Sequence, residues 1–335
     1  MARREKAALI DRAMGALVGG ALGDALGMPT QLLTAEEIRN TYGPVEGFVT
    51  PVPDHPVSKG LPAGSITDDT EQTLLLAEVL INSASSFDQK RWVASLIEWE
   101  RGVKARGGYD LLGPSTKRAI DLINAGADPV EAGRGGSTNG AAMRIGPVGI
   151  ALKPEPLILL VERVQETTAA THGSSVAISS ASAVAAAVSC GVEGGDWRSA
   201  SNLGVEAARL AQGTAPSIDM AGLIEKARNT VRGQSGRHAI ELVVSEVGTG
   251  VESEQSIPAA FAILEVANGD PWKAAVLSAN LGGDTDTIGA IAAGMAGACI
   301  GYSHLPEKQI AQLKGLDLAN VRLLAERLVD LRLGV

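Results

Sequence analysis

Apolar positions recur at intervals of three and four along most of this chain. "PLILLVERVQETTAA" (156–170) and "LANVRLLAERLVDLRL" (318–333) keep a 3.6-residue period, which predicts amphipathic helices. "DPVEAG" and "DPWKAAVLSANLGG" set Asp128 and Asp270 as N-caps, with Pro129 and Pro271 in the first turn. The second of these is expected to close on Gly282 as its C-cap. No succession of alternating strands is visible, so the pattern predicts an all-α fold. With no linker, composition shift or tandem repeat, residues 1–335 read as a single compact multi-helix domain.

Three segments depart from simple amphipathicity. Gly15, Gly19, Gly23 and Gly27 recur every four residues near the N-terminus, and Gly289, Ala293, Gly297 and Gly301 do so towards the C-terminus. Stripes of small residues let helices approach closely, which predicts that both lie in the middle of a bundle. The third segment, Thr41 to Gly64, carries Pro44, Pro51, Pro53, Pro56 and Pro62, which forbid a helix. Long irregular segments in compact domains are often functional. This one runs directly into "SITDDTEQTLLLAEVL".

Composition supports the helical reading. Three Phe, four Trp and three Tyr stand against 40 Gly and abundant Ala, which suits closely packed helices better than an aromatic-rich β-sandwich. The formal charge of -9 opposes an extended phosphate-binding surface, so no nucleic-acid polymer is expected as a partner. A small anion held by backbone N–H groups is compatible with that balance. Cys190 and Cys299 form no C-x-x-C pair and read as buried reduced thiols. Asp11 and Arg12 cut "MARREKAALI" off from any apolar run, so no signal peptide is expected. Ile288 to Ile300 is too short to span a bilayer, and Ser174 to Cys190 reads as too weakly apolar. A soluble cytoplasmic protein without membrane contact is the expectation.

Two short motifs carry the candidate chemistry. "TDDT" (67–70) and "GGDTDT" (282–287) each crowd carboxylates and hydroxyls where an apolar helix begins. Either one alone reads as a helix start, with Asp68 as N-cap and Glu71 completing a capping box in the first. Capping needs one oxygen, whereas each motif offers four consecutive Asp or Thr residues. Crowded carboxylates repel, and a bound cation relieves that repulsion. Hard divalent ions take oxygen ligands of this kind. Two clusters supplying opposite halves suit a pair of ions ~3.5–4 Å apart.

Other readings of "GDTDT" fail on detail. An EF-hand beginning at Asp284 needs an oxygen ligand at 288 and Glu at 295, where Ile and Met stand. No hydrophobic strand precedes Asp284, as an aspartyl-phosphate enzyme requires. The absence of a Cys/His cluster argues against zinc.

"GALVGGALGDALGMP" (15–29), "TDDT" (67–70), "TNGAAMRIGP" (138–147), "ATHGSS" (170–175) and "NLGGDTDTIGAIAAG" (280–294) together resemble the ADP-ribosylglycohydrolase family. The motifs stand in family order and span nearly the whole chain, and "LGPSTKRAI" (112–120) resembles a bacterial subgroup in particular. The resemblance implies a dinuclear Mg²⁺ (or Mn²⁺) centre with Thr67, Asp68, Asp69, Asp284, Asp286 and Thr287 as ligands. It implies hydrolysis at the anomeric carbon of a ribose, with Asp68, Asp69 or Asp284 as the carboxylate accepting a proton from water. Gly135, Gly136, Ser137 and Asn139 match the family's ligand-binding loop, and His172 matches a position near the ligand. Asp24 matches a family position for which a buried structural role is at least as good a reading.

Two departures bear on the substrate. Gln31 stands where family members usually carry Glu, and a neutral amide cannot serve as a carboxylate base. Ser137 stands where ADP-ribose hydrolases of the family often place an aromatic, and it offers no ring for a base to stack on. The first expectation is a Mg²⁺-dependent hydrolase of N-linked, arginine-type ADP-ribose. The alternative keeps the metal site but acts on a nucleoside or another small ribosyl compound. A third, a non-catalytic crystallin-like member, is opposed by the intact carboxylate sets.

Overall fold

The computed structural model describes residues 2–83, 86–105, 113–214 and 216–335. Leu112 of the "LGPSTKRAI" segment lies outside the described residues. Among those described, eighteen α-helices are joined by turns, and β pairing is confined to isolated bridges. The all-α expectation holds. One contiguous hydrophobic cluster runs from Ala13 to Val329.

The two small-residue stripes face each other. The Ala2–Gly27 helix runs antiparallel to the Thr285–Ile300 helix, with Gly15 against Gly297, Gly19 against Ala293, Gly23 against Gly289 and Gly27 against Thr285. A Cβ on Gly23 would lie 2.0 Å from the Gly289 carbonyl oxygen, so this approach excludes any side chain at that position. At the end of the seam Thr285 Oγ1 donates to the Gly27 carbonyl at 2.9 Å. The seam therefore delivers the start of the second helix to the end of the first.

Around this pair pack the Ser175–Glu193, Ser253–Ala267, Pro271–Ala279 and Leu318–Leu333 helices. By length and composition the Ser175–Glu193 helix is apolar enough to cross a membrane, contrary to the sequence expectation. Its most apolar window is 83% buried inside the protein, with Ala and Ser making a thin, close-packing core rod. Asp128 and Asp270 cap their helices as expected. The Pro271–Ala279 helix, however, ends with Asn280 at its C-cap. Asn280 does this while its side chain bonds the backbone of Val45 in both directions, at 2.9 and 2.8 Å. That leaves Gly282 for a different turn. Cys190 and Cys299 are free thiols, half-buried rather than fully so.

The proline-rich segment is irregular beyond Tyr42, as expected. His55 pins it: Nδ1 accepts the Ser58 N–H at 2.9 Å and Nε2 reaches the Gln31 carbonyl at 2.9 Å. Gln31 in turn donates to Ser58 Oγ at 3.1 Å.

Candidate active site

Two helices begin at one point in the interior. The Asp68–Asn82 helix is capped by Thr67, which corrects the expectation that Asp68 caps it with Glu71. The physical reason is Asp24. Its carboxylate reaches over from the N-terminal helix and accepts the Thr67 N–H at 2.9 Å, the Thr70 N–H at 3.2 Å and the Thr67 hydroxyl at 2.7 Å. The Thr70 hydroxyl also donates to it. With the first N–H groups served this way, Asp68 and Asp69 have no capping duty.

Asp284 is the N-cap of the Thr285–Ile300 helix but makes no side-chain cap bond. The turn before it uses Gly282 and Gly283 at φ +80° and +77°, the left-handed region that favours glycine. Leu32 also sits there, at φ +62°, held by Gly283: the Leu32 N–H donates to the Gly283 carbonyl at 2.7 Å, and the Gly283 N–H donates to the Leu33 carbonyl at 2.8 Å. In "DTDT" the first, third and fourth residues face the interior space, whereas Thr285 faces the glycine seam.

The halves of the site thus meet. Asp68, Asp69, Asp284, Asp286 and Thr287 share a cavity of about 220 Å³ with Asn139 and His172. Thr67 stands behind them, with Thr67 Oγ1 and Thr287 Oγ1 each 3.4 Å from Asp69 Oδ2. One carboxylate oxygen from each of Asp24, Asp69 and Asp286 lies within 4.8 Å of the others. Asn139 donates its side-chain amide to Asp284 Oδ2. The remaining wall includes Gln31, Leu32, Val57, Pro114 and Val251. Val57 is the contribution of the proline-rich segment.

Burial and mutual repulsion dominate the electrostatics. Burial, then the charges of neighbouring aspartates, hold Asp69 and Asp286 well above the ordinary carboxylate range. The same causes push Asp68 up to about 8, and burial pushes Asp24 up to about 6. Burial also raises Asp284, against the lowering hydrogen bond from Asn139. Two helix N-termini point here, and their partial positive charge offsets some of this repulsion. Asp69 Oδ1 is buried without any hydrogen-bond partner. An orphaned carboxylate oxygen among acidic neighbours fits a hard cation, and the all-oxygen donor set fits the same class of ion.

Of the loop residues, Asn139 is buried on the cavity wall. Gly136 is buried against the Thr171–His172 backbone, and Gly135 and Ser137 are exposed beside it. His172 lines the cavity and is held well below its usual pKa, by burial first and then by the charge of Arg144.

Sequence reasoning missed Arg144 and Gln72. Arg144 is 2% exposed, and Nη1 donates to Gln72 Oε1 at 2.6 Å. Gln72 Nε2 reaches Asp68 Oδ2 at 3.3 Å. Signals existed for both: a lone cation inside the apolar run "AAMRIGPVGIAL", and an amide one helical turn after Asp68.

The whole length of this arrangement has counterparts. The family model for ADP-ribosylglycohydrolase matches residues 5–334. The chain belongs to the ADP-ribosylglycohydrolase family. It is 33% identical to the uncharacterized protein YegU of Escherichia coli (strain K12), over 92% of this chain and 93% of that one. It is 27% identical to the ADP-ribosylarginine hydrolase Tri1 of Pseudomonas putida (strain GB-1), over 96% of this chain and 78% of that one. A solved structure titled ADP-ribosylglycohydrolase-related protein complex superposes with a TM-score of 0.65 at 27% identity, covering 96% and 98% of the two chains. The protein is a hydrolase of the ADP-ribosylglycohydrolase family.

Proposed function

We propose that the cavity hydrolyses the glycosidic bond of ADP-ribose in an N-linked, arginine-type attachment, with two Mg²⁺ (or Mn²⁺) ions, in the cytoplasm. The observation that carries the metal reading is Asp69, whose buried Oδ1 has no donor although Asp24, Asp68, Asp284 and Asp286 crowd around it. Buried charges without partners are strongly unfavourable, and the single buried guanidinium nearby does not balance five carboxylates. Thr67, Asp68, Asp69, Asp284, Asp286 and Thr287 would hold the ions. Asp24 would hold Thr67 instead, because its lone pairs already receive four donors.

Bound ions of this class would supply Lewis acidity and make a water a stronger acid than it is in bulk solvent. The side chains around them do the rest. Asp68, oriented by Gln72 and open to the cavity, is placed to accept a proton from water, with Asp69 and Asp284 as the other candidate bases. Asn139 fixes the orientation of Asp284. Leu32, Val57 and Val251 lower the dielectric along the wall, which strengthens each charge contact inside. The name of the Pseudomonas relative supports the arginine-type leaving group.

A second reading, a small ribosyl compound such as a nucleoside, is favoured by two observations. The cavity, about 220 Å³, is below the roughly 300–1,000 Å³ usual for drug-sized ligands. Ser137 is exposed and brings no aromatic ring. A release assay comparing ADP-ribosylarginine with simple nucleosides separates the two, and turnover of the small ribosides alone rejects the ADP-ribose reading. Calorimetric titration with Mg²⁺ and Mn²⁺ tests the shared premise, which fails if neither binds.

A further inference from the structure

Arg144 is a buried cation beside the cavity that the proposed chemistry leaves idle. It stands at the C-cap of the Gly140–Met143 helix, fully buried, with its guanidinium 5.2 Å from the centre of the buried Trp92 ring. Its hydrogen-bond partners are neutral. Nη1 donates to Gln72 Oε1 at 2.6 Å, and Nη2 donates to Thr171 Oγ1 at 2.8 Å and to His172 Nδ1 at 3.3 Å. An ion pair directly to Asp68 or Asp69 would be the simpler use of a buried cation. Instead an amide and an imidazole stand between Arg144 and the cavity.

A guanidinium can only donate, so it dictates the polarity of what it touches. At Gln72 it fixes Oε1 towards itself, which turns Nε2 outward as a donor to Asp68 Oδ2 at 3.3 Å. At His172 it fixes Nδ1 as an acceptor, a role the Thr171 hydroxyl 2.9 Å away also supports. The imidazole proton then belongs on Nε2, which lies 3.2 Å from Thr138 Oγ1, and Thr138 donates onward to Ser115 Oγ at 2.9 Å. Two hydrogen-bond chains of fixed direction leave one guanidinium: one ends at Asp68, and the other passes through His172 and Thr138, which line the same cavity at a different point. A purely space-filling residue would not need this alignment. Lysine, with one compact ammonium, could not span both branches.

We propose that Arg144 is a positioning residue: acting through Gln72 it presents Asp68 to the reaction centre with a donor on Oδ2, and acting on His172 it fixes the neutral Nε2–H tautomer. The first half rests on the metal-dependent hydrolase reading above, whereas the second does not. Gln72→Glu keeps a partner for Arg144, and so preserves packing, and in the ionised form that the guanidinium favours it cannot donate to Asp68. Gln72→Met removes both bonds at similar volume. For the full chain, turnover of ADP-ribosylarginine is expected to fall about ten- to hundredfold in kcat in both variants, and Mn²⁺ affinity by a similar factor in Gln72→Met. The Tm of Gln72→Glu is expected to stay within about 3 °C of the parent. Independently of activity, ¹⁵N NMR of histidine-labelled protein at pH 7 should show His172 neutral with its proton on Nε2, and Arg144→Lys should populate the Nδ1–H tautomer. Parent-like kcat in both Gln72 variants, or an Nδ1–H His172 in the unmodified protein, overturns the assignment. A parent that neither binds Mn²⁺ nor hydrolyses the substrate rejects the functional reading, and the His172 tautomer then still decides the role of Arg144.

Discussion

The carboxylate of Asp24 receives both the backbone N–H and the hydroxyl of Thr67, 43 residues away in sequence. It serves as the outer cap of the Asp68–Asn82 helix, whereas Asp69, two residues on from Thr67, keeps an oxygen with no partner. The two aspartates should therefore respond oppositely to the same change. Asp24→Asn puts an amide against N–H and O–H donors and is expected to cost about 2–3 kcal/mol. Asp69→Asn relieves repulsion and is expected to stabilise the metal-free protein by about 1 kcal/mol while removing a metal ligand. Denaturant melts of metal-free protein check both signs.

Asp286 shares its surroundings with Asp69 and Asp24 but takes no part in capping a neighbouring helix. Asp286→Ala is expected to abolish divalent binding in calorimetry while preserving the helical far-UV spectrum. Unchanged Mn²⁺ affinity in this variant would remove Asp286 from the ligand set.

The pH dependence of stability follows from the raised carboxylates. Each binds its proton more tightly in the folded chain than in the unfolded one, so the native state carries more protons. In metal-free protein this contribution is complete below the ordinary carboxylate range. It is lost as pH rises, through about 6 for Asp24 and about 8 for Asp68. The Tm of metal-free protein is expected to fall between pH 5 and 8 (roughly the span of these shifts). Mg²⁺ should restore it more at the upper end, by about 2.7 kcal/mol at a hundredfold excess over Kd. A flat Tm profile without metal would show that these aspartates do not govern how stability varies with pH.

The glycine seam gives a paired test. Gly23→Ala drives a methyl to within 2.0 Å of the Gly289 carbonyl and is expected to destabilise by about 3 kcal/mol. Gly20→Ala, on the same helix, meets nothing closer than 3.5 Å and is expected to gain up to about 1 kcal/mol from helix propensity. Thermal melts of the two variants should move in opposite directions.

Much of this architecture is legible in the sequence because its signals are local or periodic. The four-residue glycine spacing marks the seam, and the crowding in "TDDT" and "DTDT" marks two half-sites without placing them together. Spacing alone misreads Asp68 as the N-cap because the group that displaces it, Asp24, comes from another helix, and local sequence carries no trace of that approach. It misreads Gly282 as a C-cap because Asn280 closes the helix two residues earlier, its side chain bonding the Val276 carbonyl of that helix and also Val45, 235 residues away. Arg144 and Gln72 stand in plain view as residue types. Their direction of donation belongs to three-dimensional geometry, which no local pattern records.

The seam also sets an order of events during synthesis. The N-terminal helix leaves the ribosome early, with its glycine face bare, and its partner follows 258 residues behind, counted from Gly27 to Thr285. At roughly 5–20 residues per second the wait lasts about 13–50 s. Once Thr67 and Thr70 have followed, the Asp24–Thr67 half of the site can assemble alone for the rest of that interval, while its other half has yet to be translated.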